Sequence, residues 1–133
     1  MSRIEPTVSE QTREFWDATR DERLLYQFCL ECDAVVQYPR ARCPGCLGER
    51  LEWRESNGRA EVYAVSVQHG WANPFGGDGP YVVALVDLEE GGRLMTNVVD
   101  CEVDAVQVGM PVRVTWEALS DGRKLPLFAP LDA

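Results

Sequence analysis

What the chain lacks excludes several classes at once. No run approaches the roughly 20 consecutive apolar residues that a membrane-crossing helix needs, so no membrane helix is expected. The opening, MSRIEPTVSEQTREFW, is polar and acidic and holds no apolar stretch of the signal-peptide kind. The expected location is therefore the cytoplasm. Basic charge is short: 13 Lys and Arg stand against 22 Asp and Glu, a formal net charge of −9. Nonspecific nucleic-acid binding depends on neutralising phosphates, so this balance disfavours it. It also disfavours adsorption to an anionic membrane. Histidine is nearly missing, with His69 the single copy. A Gly-x-Ser-x-Gly elbow, a Walker loop and a dinucleotide fingerprint are missing altogether.

Cysteine is concentrated instead. The stretch FCLECDAVVQYPRARCPGC holds Cys29, Cys32, Cys43 and Cys46, four of the five cysteines, as two CxxC pairs with ten residues between them. In a reducing compartment such pairs read as metal ligands rather than disulfides. A CxxC on a tight turn presents two sulfurs to one point, and two such turns complete the tetrahedron that zinc prefers. A thioredoxin-type dithiol needs one CxxC in a βαβ setting, which this chain does not offer. Four protein ligands leave no position for water, so the expected role of the ion is structural. A segment of about fifty residues has too small a core to fold alone, and the ion supplies the missing stability. The CPGC form of the second pair also suits a rubredoxin-like iron site, so iron remains the alternative metal.

Along the chain, three parts are expected: a helix within residues 1–22, a zinc ribbon over 23–56, and a β-barrel over 57–133. The helix is predicted over 7–22, with Thr7 and Glu10 as a capping box and an apolar stripe through Val8, Thr12, Phe15, Trp16 and Thr19. RLLYQF, VVQYP and RLEWRE read as the short strands around the two knuckles, and SNG at 56–58 as a turn and boundary. Five strands follow, at 60–68, 81–89, 93–99, 111–118 and 124–130, joined in two places by the tight turns EEGG and SDGR. DCEVDAVQVG reads as a short helix or a loop. The fold class is mainly β, with an OB-type five-stranded barrel first and a small open β-sandwich as the alternative.

The stretch EFWDATRDERLLYQFCLECDAVVQYPRARCPGC resembles the opening of a bacterial and archaeal family with a rubredoxin-like zinc ribbon followed by an OB-fold, associated with acyl-CoA metabolism. The Phe-Trp helix, the Leu before the first knuckle, YPR before the second, and CxxC…CPxC stand in the family's order. GRAEVYAVSV, PYVVALVDLEEG, VGMPVRVTWE and LPLFAP resemble its barrel strands, so the likeness runs from about residue 14 to 130. The resemblance implies a thiolase-superfamily partner that carries the catalytic residues and makes or breaks carbon–carbon bonds in CoA thioesters, as a thiolase or as a retro-aldolase of steroid side-chain degradation. It implies a non-catalytic role for this chain in shaping the CoA-thioester site. A heterotetramer with two copies of each subunit is expected. No fused hydratase domain is present, so the chain is expected to be a separate subunit or an excised domain.

Other residues carry weaker signals. The connection HGWANPFGGDGP, residues 69–80, combines glycines and prolines with Trp71 and Phe75. These aromatics either enter a partner or fold back to plug the barrel end. Phe15 and Trp16 point about 100° apart on a helix, so one is expected to pack inward and one toward a partner. Arg40, Arg42 and Arg50 suit CoA phosphates or simply solvent, and Arg40 is taken as structural or CoA-facing. His69 is a possible general base by type, and a plain strand-end residue by default. Cys101, with Asp100, Glu102 and Asp104 as neighbours that would raise its pKa, reads as a buried or incidental thiol. No catalytic residue is assigned. Two other readings stand beside the accessory subunit: an OB-fold module for single-stranded nucleic acid, and a small thioester enzyme using His69 or Cys101.

Overall fold

The computed structural model describes residues 5–69 and 79–131. The aromatics Trp71 and Phe75 of the predicted partner loop lie outside the described residues. The elements are α1 (Arg13–Thr19), β1 (Leu25–Cys29), β2 (Val35–Val36), β3 (Leu51–Glu55), β4 (Arg59–Gln68), β5 (Tyr81–Leu88), β6 (Arg93–Asn97), a single 3-10 turn at Val103–Ala105, β7 (Pro111–Ala118) and β8 (Lys124–Pro130).

They form two antiparallel sheets. The small one has the order β2-β1-β3, and the large one β6-β5-β4-β7-β8. The edges of the large sheet meet through a parallel bridge between Val98 and Phe128, reinforced by Val99 N–H donating to the Phe128 carbonyl at 2.8 Å. One nearly closed five-stranded barrel results, not a sandwich. Its core follows from alternation. Along β5, Val82, Ala84, Val86 and Leu88 are buried and their neighbours are not. Val62, Val112 and Phe128 meet them from β4, β7 and β8. A bulge between Val62 and Ala64 lets β4 bend around this core. The predicted strands at 111–118 and 124–130 form as read, and the third stops at Asn97 rather than 99. The DCEVDAVQVG stretch resolves as loop with one 3-10 turn.

The helix is shorter than its sequence suggests. It spans Arg13–Thr19 instead of 7–22, and Thr7 and Glu10 do not cap it. Ser9 and Thr12 pair reciprocally instead: Ser9 N–H donates to Thr12 Oγ1 at 2.9 Å, and Thr12 N–H to Ser9 Oγ at 3.3 Å. Upstream, the chain is tied to the β7–β8 turn. Glu5 accepts from Ser120 N–H and Oγ at 3.0 and 2.8 Å, and the Pro6 carbonyl accepts from Arg123 at 2.9 Å. At the other end Arg23 N–H reaches the Ala18 carbonyl and Glu22 N–H the Thr19 carbonyl. This is the Schellman pattern, with Glu22 in the left-handed position at φ 58°.

The SNG corner between ribbon and barrel is held by side-chain hydrogen bonds to the β5–β6 turn. Ser56 Oγ and Asn57 N–H donate to the Glu90 carboxylate at 2.7 and 2.8 Å, and Asn57 Nδ2 donates to Glu89 at 2.7 Å. Gly58 sits at φ 81°, where a Cβ would stand 2.6 Å from Val114 Cγ1. Leu24, just before β1, is buried in the barrel core, so the ribbon enters the barrel as a shared element. Burying such a side chain contributes about 2 kcal/mol.

Candidate metal centre

The two knuckles are built alike. Cys29 C=O accepts from Asp33 N–H at 2.9 Å, and Cys43 C=O accepts from Leu47 N–H at 2.8 Å. Each turn then needs a left-handed residue just after its second cysteine: Asp33 at φ 61° and Leu47 at φ 62°. Asp adopts that region more readily than Leu. Strand β1 delivers Cys29, and Cys29 N–H bonds to Ala34 C=O across the turn. Gly48 N–H lies beside the Cys46 sulfur, and the exposed Glu31 carboxylate of the first knuckle reaches over this position.

These turns bring the four sulfurs within 4.8 Å of one another. Cys29 and Cys46 stand 3.6 Å apart, as do Cys32 and Cys43. A regular tetrahedron with metal–sulfur bonds near 2.3 Å has edges of about 3.8 Å, so the tetrad fits a four-coordinate thiolate metal. The spacing is far from the roughly 2.05 Å of a disulfide. Cys29 and Cys43 are buried on the inner side, and Cys32 and Cys46 are exposed on the outer. Backbone amides support the thiolates: Gly45 N–H lies 3.3 Å from Cys43 Sγ, and Gly48 N–H 3.4 Å from Cys46 Sγ.

Electrostatics makes the same demand. The backbone N–H of Cys46, and after it that of Gly45, hold the Cys43 thiol down to about 7 against its burial. The Ala34 N–H favours the Cys32 thiolate, yet the crowding of the other three sulfurs drives Cys32 up to about 12. Four thiolates this close repel one another unless a cation lies between them. A bound zinc would supply that charge and cross-link the knuckles. With four cysteine ligands it keeps no open position for a reacting molecule. The need for the link is visible nearby. The buried core of the ribbon's metal end is Cys29, Val36 and Cys43, with Ala34 and Leu51 at its margin.

The other singled-out residues are scattered. Trp16 is buried at 9% exposure, and Phe15 meets it edge-on with centroids 5.0 Å apart. Phe15 is half-buried and packs on the barrel core. Arg40 uses its backbone: its N–H and C=O bracket the buried Gln27 amide at 2.8 and 3.1 Å, while the residue itself is exposed. Arg42 pairs with Glu49 at 2.9 Å. His69 is exposed just past β4. Cys101 packs half-buried against the barrel core, and burial, then Asp100 and Glu102, push its thiol up. None of these residues is joined to the sulfur tetrad by a described contact.

Sequence reasoning missed Tyr38 as an individual. Its hydroxyl accepts from Met95 N–H at 2.7 Å, which ties the segment between the knuckles to barrel strand β6. The aromatic in YPR, flanked by two metal knuckles, was the available signal.

Residues 16–52 match the rubredoxin-like zinc ribbon domain of ChsH2, and residues 53–117 match the C-terminal OB-fold domain of ChsH2. The chain belongs to the ChsH2 family. This member is 34% identical over 128 residues to a probable enoyl-CoA hydratase alpha subunit of Thermomonospora curvata, across 96% of this chain and 40% of that protein. The chain thus spans well under half of that relative. It is 33% identical over 94 residues to a DUF35 domain-containing scaffold protein of Methanothermobacter thermautotrophicus, across 70% of this chain and 71% of that one. A solved structure described as an Ltp2-ChsH2(DUF35) aldolase superposes with a TM-score of 0.84 at 34% identity, covering 95% of this chain and 98% of that chain. The helix, ribbon and barrel are therefore a ChsH2-type unit with a four-cysteine metal cluster. Among the described residues no helix is long and apolar enough to cross a membrane.

Proposed function

We propose that this chain is a non-catalytic accessory subunit of an acyl-CoA enzyme whose thiolase-superfamily partner makes or breaks carbon–carbon bonds. The observation that carries this reading is the near end-to-end likeness to the ChsH2(DUF35) chain of an aldolase. The chemistry of the tetrad supports it, since a metal enclosed by Cys29, Cys32, Cys43 and Cys46 is a fold element and not a Lewis acid with a free position. The ion is zinc by ligand preference. A CoA thioester is the substrate of the complex, in the manner of a retro-aldolase or a thiolase. Assembly is a heterotetramer with two copies of each subunit. The chain divides into an N-terminal part that holds α1 (1–22), ribbon (23–56) and barrel (57–133). We assign partner- or substrate-facing roles to Phe15, Arg40 and His69 and, outside the described residues, to Trp71 and Phe75; Trp16 is buried within the fold.

The test is co-expression with a thiolase-superfamily chain, followed by assay of carbon–carbon cleavage in CoA thioesters. The complex turns over, and this chain alone does not. Full turnover by the isolated chain overturns the proposal.

A further inference from the structure

Asn57 and Gly58 form an Asn-Gly pair at the joint between ribbon and barrel, and the accessory role makes no use of it. Such a pair can react with itself. The backbone nitrogen of the second residue attacks the Asn Cγ, and glycine, having no Cβ, obstructs that attack least. Asn57 is exposed to water, while Gly58 is buried. Each group that the reaction needs is engaged in the folded chain. Gly58 N–H, the nucleophile, donates to Ser56 Oγ at 3.0 Å, and the Ser56 hydroxyl in turn donates to Glu90 at 2.7 Å. Asn57 Oδ1 accepts from Arg59 N–H at 2.8 Å, and Nδ2, the leaving group, donates to Glu89 at 2.7 Å. On the barrel side, Gly58 C=O accepts from Val114 N–H at 2.7 Å.

We propose that Asn57–Gly58 is a latent modification site: the hydrogen bonds of the corner keep it unreacted, and opening of the corner lets it deamidate. In the reaction the Gly58 nitrogen loses its proton and bonds to Asn57 Cγ. The Cγ–Nδ2 bond breaks, and ammonia leaves with that proton. Water then opens the cyclic imide. Cleavage of its N–Cγ bond leaves aspartate. Cleavage at the Asn57 backbone carbonyl leaves isoaspartate, with the main chain rerouted through Cγ. The closed corner opposes the first step in two ways. Swinging Cγ onto the Gly58 nitrogen breaks both carboxamide hydrogen bonds. An ionised Gly58 nitrogen would also face the Ser56 oxygen, with the Glu90 carboxylate next in line. Local opening removes both obstacles, so the folded rate is the open-state rate scaled by the open fraction. The product then keeps the corner from closing well. A carboxylate at position 57 replaces the amide that donates to Glu89 and meets it as a like charge.

The experiment holds the full, metal-loaded chain in mildly alkaline buffer beside the same chain unfolded in guanidinium. Peptide mass spectrometry reads conversion at Asn57, and enzymatic methylation of isoaspartate reads the rerouted product. The folded chain is expected to react about tenfold more slowly than the unfolded one, or slower still. Ser56→Ala removes the acceptor of Gly58 N–H, and Glu90→Gln removes the charge behind it. Each should raise the folded rate about fivefold and leave the unfolded rate at the wild-type value, which separates a lost lock from altered chemistry. Circular dichroism confirms that the variants are folded, and two variants guard against the misfolding of one. Asn57→Asp, a mimic of the product, should melt below wild type at neutral pH. Equal rates in the folded and unfolded wild type overturn the proposal, as does an Asn57 that stays intact in both. Variants that react as slowly as the folded wild type overturn it too, because the hydrogen bonds are then not the lock. An Asn57→Asp chain that melts with wild type refutes the loosening of the corner by its own product.

Discussion

The Arg123 guanidinium lies 5.2 Å from the centre of the Trp16 ring. Arg123 is buried at 5% exposure, so this contact is made away from water, where a cation–π pair counts for more. The same side chain donates to Asp121 at 2.7 Å and to the Pro6 carbonyl at 2.9 Å. Thr19 adds a neighbouring tie, accepting from Lys124 N–H at 3.2 Å while donating to the Trp16 carbonyl at 2.6 Å. The N-terminal helix is therefore sewn to the β7–β8 turn as part of the barrel. Trp16 is committed to that joint, and Phe15 borders a hollow that it shares with Tyr38 and Met95.

Replacing Arg123 with alanine should cost about 2 kcal/mol, because it removes the buried guanidinium that ties Asp121 to the Pro6 carbonyl and leaves a gap beside Trp16. Arg123→Lys keeps the charge but loses the planar fork and should recover only part of the loss. Urea unfolding followed by circular dichroism measures both. A loss under 0.5 kcal/mol, the range of ordinary surface substitutions, would mean that the helix is held by its apolar face alone.

The Asp121 partner gives the joint a pH dependence. The Arg123 backbone N–H, then its guanidinium and that of Arg20, hold the Asp121 carboxyl below its ordinary range, against some burial. A carboxyl depressed in the folded state stabilises the fold fully above its unfolded pKa, about 3.9, and ceases to do so as pH falls through the lower folded value. At pH 7 Asp121→Asn should melt below wild type, and the gap should close as pH drops below about 4. Acid also protonates the metal thiolates, but both proteins share that effect. The readout is the difference between their melting temperatures at each pH. A gap independent of pH would remove ionisation of Asp121 from the account.

What was legible in the chain was local. Two CxxC pairs announce their tetrahedron because each knuckle is a turn of a few residues, and the sequence of β7 alternates Val112, Val114 and Trp116 with Arg113, Thr115 and Glu117. The helix was overextended because Thr7 and Glu10 satisfy a capping rule that has no knowledge of Ser120 or Arg123. Those residues lie 115 and 117 positions from Glu5 and Pro6, and their hydrogen bonds pull the start of the chain away from a helix. The hollow beside Phe15 was invisible for the same reason. Phe15, Gln37, Met95 and Pro126 come together only when helix, ribbon and barrel close on one another.

Metal removal should separate the two sheets in stability. Structural zinc contributes on the order of 10 kcal/mol or more in small metal-bound folds, far beyond what the ribbon's few buried residues supply. Mass spectrometry of the native protein should find one divalent ion per chain. After chelation, or in Cys29→Ser and Cys43→Ser, amide exchange should accelerate across β1 to β3 and stay slow at Val86, Val112 and Phe128 of the barrel core. Slow exchange throughout the ribbon without an ion would refute a stabilising role for the tetrad.

Leu47 occupies a left-handed position that suits glycine, at φ 62° and 67% exposed. A side chain there costs roughly 1 kcal/mol through the clash of Cβ with the following carbonyl. Little burial is lost by removing it, although glycine has more freedom to lose on folding. On balance Leu47→Gly should stabilise the metal-loaded protein by about 0.5 kcal/mol. Leu47→Val should destabilise it, because branching at Cβ makes the left-handed region still less favourable. Asp33→Gly, at the matching place in the first knuckle, should gain less, since Asp tolerates this conformation. Guanidinium unfolding at fixed zinc concentration ranks the three variants. If the glycine variant is instead weaker than wild type, Leu47 makes a contact that outweighs its strain.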